Sequence, residues 1–272
     1  MTDFPEAHPP VPTRAQPAAL RGAPLPVVLL HGGNVANWMW EPQLPAVRDR
    51  LALTPHLPGF GARVDEDWPG LPSAADDVAR RIRDLGAEGP VDVVGLSLGG
   101  VLALHLAARH PALVASVLVS GAAVTRGGGV ARATSGLQLA LWHQRWFWRA
   151  QAVAFGLPKD SRDEYVAHAV SVRKATAKAM LGEVYAGGIP DRLDDYKGRM
   201  LLVAGELEPA VTRASLAALR QAVPRAETRI ARGMHHVWNV EDVARFNAML
   251  RDWLRGGVDD WLVEVEHMHV HI

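Results

Sequence analysis

A serine between two glycines is the residue of this chain best suited to covalent chemistry. In Gly95-Leu96-Ser97-Leu98-Gly99 it stands between the β-branched apolar run 91–94 and a helical pattern that begins at once. A strand that turns into a helix at one residue strains that residue's backbone, and glycines two positions away on either side make the turn feasible. The hydroxyl of Ser97 is then exposed above the sheet and can act as a nucleophile. The alternative is an ordinary turn in which the serine only caps the helix.

Two stretches of backbone offer amides that can stabilise a negatively charged oxygen. The amide of Leu98 opens a helix, so it has no acceptor within the helix and lies at the positive end of the helix dipole. The apolar run 26–30 ends in His31-Gly32-Gly33-Asn34, where the glycines let the backbone come close to a substrate. We expect the amide of Gly33 or Asn34 to point at the same place as that of Leu98. The alternative for this loop is a plain glycine turn after a strand.

Together these motifs resemble the α/β-hydrolase family, in which Gly-x-Ser-x-Gly between a strand and a helix is the nucleophile elbow. The resemblance covers about residues 25–254 and implies a catalytic triad in the order serine, acid, histidine. The family commonly takes its acid from a Gly-x-x-Asp loop, and here Gly205-Glu206-Leu207-Glu208 carries a glutamate instead. The resemblance therefore implies Glu208 as the acid. Glu206 is the second choice, because in an extended loop it points to the opposite side.

The histidine implied by the resemblance lies just before the last predicted helix. The family's loop reads Gly-x-x-His, which selects His236 from Gly233-Met234-His235-His236. His235 is the neighbouring alternative, and a surface turn without catalytic function is the structural one.

Composition limits the other classes of function. The chain has 272 residues, enough for one domain with a sizeable insertion. Its 29 Lys and Arg equal its 29 Asp and Glu, so no basic excess favours nucleic acid or an anionic membrane as a partner. The absence of cysteine excludes disulfides and thiolate chemistry. Residues 1–5 lack the features of a signal peptide and no run reaches the ~18 apolar residues of a membrane span, so we expect a cytoplasmic protein.

Alternating strands and helices predict an α/β fold with a mainly parallel central sheet flanked by helices. The predicted strands lie at 26–30, 50–54, 91–94, 113–120, 199–204 and 227–231. The flanking helices are predicted near 38–47, 73–85, 98–110, 211–222 and 239–254. Ser73 and Asp76 form the capping box expected to start the second of these helices. These elements predict a hydrolase core made of residues 25–120 and 198–255.

The N-terminal segment, residues 1–24, contains six prolines, which argue against a strand before residue 25. The C-terminal extension, 256–272, ends in strict alternation, which predicts a strand that adds to the sheet edge of its own or a neighbouring chain and so a possible route to a homodimer. The alternate residues His267, His269 and His271 could hold a metal, but a solvated strand face is favoured and no metal site is predicted.

Residues 121–197 lack strands and resemble the helical cap that α/β-hydrolases place over the active site. Helices are predicted at about 130–149, 161–170 and 172–186. Trp142 and Trp146, four residues apart, would share one helix face. They either pack the cap onto the core or form a wall of the substrate pocket.

These residues predict a serine hydrolase that cleaves a small or medium apolar carboxylic ester through an acyl-enzyme, without metal or cofactor. Hydrolysis of a carbon–carbon bond, or cofactor-free perhydrolysis and haloperoxidation, would use the same residues. A ligand receptor with negligible turnover is the alternative from another class.

Overall fold

A single mixed sheet organises the chain in a computed structural model, which describes residues 5–8, 24–86, 89–126 and 128–265. The eight strands follow the order β1-β3-β2-β4-β5-β6-β7-β8 across the sheet. They are β1 Ala7–His8, β2 Val27–Leu30, β3 Ala52–Leu53, β4 Val91–Leu96, β5 Val114–Ser120, β6 Arg199–Gly205, β7 Glu227–Ala231 and β8 Val263–Glu264.

The six inner strands, β2 to β7, are parallel, and only the two outermost strands pair antiparallel. Strands buried on both faces are nearly continuous apolar runs, and every residue of β2 and β4 is buried. The predicted α/β fold with a mainly parallel sheet is confirmed.

Nine α-helices surround this sheet within the described part of the chain. They are α1 Leu71–Asp84, α2 Leu98–Arg109, α3 Gly129–Ala140, α4 Arg145–Ala154, α5 Arg162–Ser171, α6 Lys174–Ala186, α7 Ala210–Ala222, α8 Trp238–Glu241 and α9 Val243–Leu254. Helix α2 packs on β4 and β5, and α7 packs on β6 and β7. None of these helices combines the length and the apolar character that crossing a membrane requires.

The loops that matter for chemistry follow the carboxyl ends of parallel strands. Residues 31–34 follow β2, Ser97 follows β4, 206–209 follow β6 and 232–237 follow β7. Because parallel strands end at the same edge of the sheet, loops far apart in sequence meet there.

The prediction of no strand before residue 25 is wrong. Ala7 and His8 pair antiparallel with Leu53 and Ala52. The backbone N–H of Thr54 donates to the Glu6 carbonyl at 2.7 Å, and a Glu6 carboxylate oxygen accepts the N–H of His56 at 2.8 Å. These contacts link residues about fifty positions apart, so prolines counted in a local window could not exclude them.

The C-terminal extension adds a strand to the sheet of its own chain. Val263 and Glu264 pair antiparallel with Ile230 and Arg229, and the Arg229 guanidinium lies 3.4 Å from the Glu264 carboxylate. Just before this strand, the ring of Trp261 lies 6.2 Å from that of Trp238. His267, His269 and His271 lie outside the described residues.

Between β5 and β6 the chain forms four helices, α3 to α6, instead of the three predicted. The helix predicted over 130–149 is broken, because α3 ends at Ala140 and α4 begins at Arg145. The helix predicted at 38–47 is a 3₁₀ helix, Asn37–Ala46, which contains Pro42 and Pro45. Each proline lacks the N–H that an α-helical bond requires.

Candidate active site

Ser97 occupies the strained turn that its motif predicts. Its φ is +56° and its ψ is −117°, a left-handed conformation that non-glycine residues rarely adopt. A Cβ on Gly95 would lie 2.2 Å from the carbonyl oxygen of Gly99, and a Cβ on Gly99 would lie 2.0 Å from that of Leu30. Both glycines are thus required by direct backbone packing around the serine.

The loop after β2 is fixed from below by a buried histidine. One ring nitrogen of His31, Nδ1, lies 2.8 Å from the Gly32 carbonyl oxygen, and the other, Nε2, accepts the Leu57 N–H at 3.1 Å. Complete burial lowers the pKa of His31 to about 3, so the ring is neutral at pH 7. A neutral ring has one donor and one acceptor, so Nδ1 carries the proton and donates to Gly32.

The three predicted amide donors lie at the same cavity as Ser97. Gly33 and Asn34 line it from the loop after β2, and Leu98 lines it as the first residue of α2. The first amides of an α-helix have no acceptor within the helix. Asn34 has a φ of +64°, so its peptide is turned out of the usual direction of the chain. Residues of two separate loops therefore meet at one cavity.

A carboxylate holds the imidazole of His236. An oxygen of Glu208 lies 2.7 Å from His236 Nδ1, and the Glu208 side chain is completely buried. The other carboxylate oxygen accepts the Gly205 N–H at 2.9 Å, and the guanidinium of Arg213 donates to the Glu208 carbonyl. The glutamate is therefore fixed at both its side chain and its backbone.

Burial and charge act in opposite directions on His236. Burial alone lowers the pKa of the imidazole, but the charge and hydrogen bond of Glu208 together outweigh it, so the pKa of His236 is raised above 6.5. Glu208 therefore stabilises the protonated form of the His236 ring in its buried position.

Glu206 and His235, the alternatives that the sequence left open, form hydrogen bonds with other residues. The Glu206 carboxylate accepts the Gly233 N–H at 2.8 Å. His235 Nδ1 lies 2.7 Å from one oxygen of Glu241, whose other oxygen accepts the His235 N–H at 2.9 Å. The structure brings His236 together with Glu208, and it pairs neither of them with Glu206 or His235.

Gly121 is a site residue that sequence reasoning missed. It follows β5 with a φ of +68°, and a Cβ there would lie 3.0 Å from two ring atoms of His236 and 3.2 Å from Glu208 Oε1. A side chain at this position would push against the histidine–glutamate pair. The available signal was a glycine directly after the strand that neighbours β4.

The cavity at Ser97 and His236 has a volume of about 240 Å³. The helices between β5 and β6 supply much of its wall, and their mainly apolar side chains include Phe155, Tyr165, Met180, Leu181, Val184 and Tyr185. Ligand pockets of this kind combine apolar walls with a few polar groups that orient the ligand.

The prediction that Trp142 and Trp146 form a pocket wall is wrong, since neither lines this cavity. Trp142 is completely buried, packs edge-on to Trp148 with ring centroids 4.7 Å apart, and donates its Nε1–H to the Val172 carbonyl. Trp146 is 62% exposed. The break between α3 and α4 separates two residues that an unbroken helix would place on one face.

Comparisons of sequence place the chain among known proteins. It matches the profile of the alpha/beta hydrolase family over residues 27–249. A pimeloyl-[acyl-carrier protein] methyl ester esterase of Neisseria meningitidis is 38% identical over 97 residues, which are 35% of this chain and 35% of that protein. An AB hydrolase superfamily protein of Gibberella zeae is 35% identical over 101 residues, covering 35% of this chain and 34% of that one. The chain thus spans about a third of the length of the curated relatives it matches.

Solved structures share the fold. An enol-lactonase from Burkholderia xenovorans superposes with a TM-score of 0.74 at 20% identity, covering 86% of this chain and 92% of that one. An esterase from a Rhodococcus species gives 0.73 at 22% identity, with coverage of 86% and 91%. From the profile match over most of its length, the chain belongs to the alpha/beta hydrolase family.

Proposed function

We propose that the protein is a serine hydrolase that cleaves small or medium apolar carboxylic esters through an acyl-enzyme. One observation carries the proposal: His236, which lies 2.7 Å from a carboxylate oxygen of Glu208, lines the same apolar cavity as the strained Ser97. The name of the Neisseria meningitidis relative, a methyl ester esterase, supports the ester class.

The proposed first half-reaction forms a bond from Ser97 Oγ to the ester carbonyl carbon. Because His236 Nδ1 carries a proton toward Glu208, its Nε2 is free to accept the proton of Ser97. The carbonyl oxygen becomes negative and is stabilised by the Leu98 amide and by that of Gly33 or Asn34, at ~3 kcal/mol for each donor. His236 then gives its proton to the alcohol as that bond breaks, and an acyl-enzyme remains.

The second half-reaction repeats these steps with water. His236 takes a proton from the water as the water oxygen attacks the acyl carbon, and returns it to Ser97 Oγ as the carboxylic acid leaves. Through both steps Glu208 stabilises the positive imidazole and fixes its tautomer.

A panel of p-nitrophenyl esters tests the proposal. We expect release of p-nitrophenol from the acetate, butyrate and octanoate by the purified protein, well above the rate in buffer. The control is the same preparation inactivated by heat. Saturable ester binding without release would instead identify a receptor, and absence of both would overturn the proposal.

The pH profile follows from the state of His236. The protonated ring cannot accept the proton of Ser97, so kcat/KM is expected to fall as the pH drops through the pKa of His236, which lies above 6.5. Hydrolysis followed at the isosbestic wavelength of p-nitrophenol, from about pH 5 to about pH 9, measures this profile. A profile that stays flat down to pH 5 would contradict the role of His236 as a base.

A further inference from the structure

A second cavity, of about 320 Å³, adjoins the cavity at Ser97. It lies between the start of α1, the middle of α2 and the end of α6 together with the loop that follows. Val101, Ala123 and Val184 line both cavities. These three small or medium apolar side chains therefore belong to the walls of both spaces.

Helix α2 gives the direction and the distance from the serine. Val101 lies about one turn and His105 about two turns beyond Ser97, or about 6 and 12 Å along the axis at 1.5 Å per residue. His105 lines only the second cavity. An unbranched chain that runs from the serine along α2 passes Val101 and reaches the second cavity.

The charged side chains at the second cavity are carboxylates. Glu183 and Asp191 line it, and among the described residues neither takes part in an ion pair. Glu183 is held in place, because one of its oxygens accepts the indole N–H of Trp68 at 2.6 Å and the N–H of Leu71 at 3.1 Å.

The histidine of this cavity does not balance those negative charges. Burial, with a smaller contribution from Arg109, lowers the pKa of His105 and outweighs the opposite effect of Glu183 and Asp191. The charge of Arg109 is itself paired with Asp76, at 2.6 Å. The charged side chains of the second cavity, Glu183 and Asp191, are thus both acidic, and a carboxylate that entered it would be repelled and would lose its hydration.

We propose that one arm of the ester passes between Val101, Ala123 and Val184 into the second cavity, where its far end carries no negative charge. The substrates are then medium-chain esters with a neutral or cationic end, rather than the shortest esters or the monoesters of dicarboxylic acids. This inference rests on the proposed function, because it assigns a subsite to the same reaction.

Esters of different chain length test the proposed passage between Val101, Ala123 and Val184. Two series are compared: p-nitrophenyl alkanoates, which lengthen the acyl arm, and alkyl acetates, which lengthen the alcohol arm. In one of them we expect kcat/KM to rise by about tenfold or more between a two-carbon and an eight-carbon arm. Val184→Phe narrows the passage and is expected to lower this long-to-short ratio by about tenfold or more, whereas Val184→Ala should preserve it. Val153→Phe is the matched control, because Val153 is exposed and lines neither cavity.

A second experiment varies the charge at the end of the ester arm that would enter the second cavity. A p-nitrophenyl monoester of a dicarboxylic acid is compared with the alkanoate of equal chain length, and we expect the carboxylate to lower kcat/KM by about tenfold or more. Asp191→Lys reverses a charge at an exposed position of the second cavity and should recover most of that loss. Asp163→Lys makes the same change in net charge at a residue that lines neither cavity, and it should recover none.

The failure of this inference differs from the failure of the proposed function. The subsite alone is overturned if the short ester is hydrolysed in a Ser97-dependent reaction and neither variant changes its ratio. The ratios are the long-to-short ratio of kcat/KM for Val184→Phe and the alkanoate-to-monoester ratio for Asp191→Lys. Absence of hydrolysis of every ester overturns the function, and calorimetry with decanol and butanol then decides the subsite. The subsite is supported if decanol binds more tightly than butanol and Val184→Phe removes that difference. It is overturned if the two alcohols bind equally.

Discussion

Replacing Ser97 by alanine is expected to lower kcat for p-nitrophenyl esters by about 10³-fold or more. The substitution removes the oxygen that forms the acyl bond but keeps a Cβ in the same strained turn. Residual hydrolysis would come from binding and from the backbone donors, which alanine leaves in place. Steady-state rates with p-nitrophenyl butyrate measure the loss. Active-site titration of the wild type checks the protein concentration.

Ser73→Ala is the matched control for Ser97→Ala. Ser73 is an exposed serine in the first turn of α1 and lines neither cavity. Its variant should keep the wild-type rate, and both variants should give the wild-type circular dichroism spectrum. A Ser97→Ala protein that retains more than about a tenth of the wild-type kcat would eliminate Ser97 as the nucleophile.

Replacing Glu208 by glutamine is expected to lower kcat by about 10⁴-fold, a loss of the size found when the carboxylate of such a triad is replaced by an amide. The amide group of glutamine can donate to His236 Nδ1, which places the ring proton on Nε2 and prevents that atom from accepting the proton of Ser97. Loss of the negative charge should also lower the pKa of His236, so the acid side of the residual pH profile moves to lower pH.

Glu206→Gln makes the same chemical change two residues away. The Glu206 side chain accepts the Gly233 N–H, and a glutamine carbonyl can do the same. We expect its kcat to stay within a few-fold of the wild type. If Glu206→Gln is inactive while Glu208→Gln is active, the assignment of the acid is reversed.

Local patterns were sufficient where one segment determines its own geometry. The turn at Ser97 depends on glycines two residues away and on the strand and helix beside it, all of which are adjacent in sequence. The inner strands are continuous apolar runs, and their parallel order places the loops that follow them at one edge. These features made both the fold and the approach of His236 to Glu208 predictable.

The features that sequence reasoning missed depend on distant residues. The predicted capping box at Ser73 is not used: α1 begins at Leu71, whose N–H is accepted by Glu183 from α6, 112 residues away. Gly121 is required by a histidine and a glutamate from two other loops. No window along the chain contains both members of such pairs.

The prediction that Trp142 and Trp146 share one helix face is wrong for a related reason. Periodicity alone predicted one helix through both of them, but the chain breaks at 141–144 so that Trp142 can pack on Trp148. Trp142 and Trp148 are both completely buried, and edge-on contact between two such rings stabilises this packing.

The two outer strands also bear on how the protein behaves at high concentration. Within the described residues β1 and β8 are two residues long, and each runs antiparallel to the strand it covers. A long uncovered edge would offer a row of main-chain donors and acceptors to a strand of another molecule. Among the described residues an incoming strand finds a ladder of only two residues at either side, and this part of the sheet is therefore a poor template for aggregation.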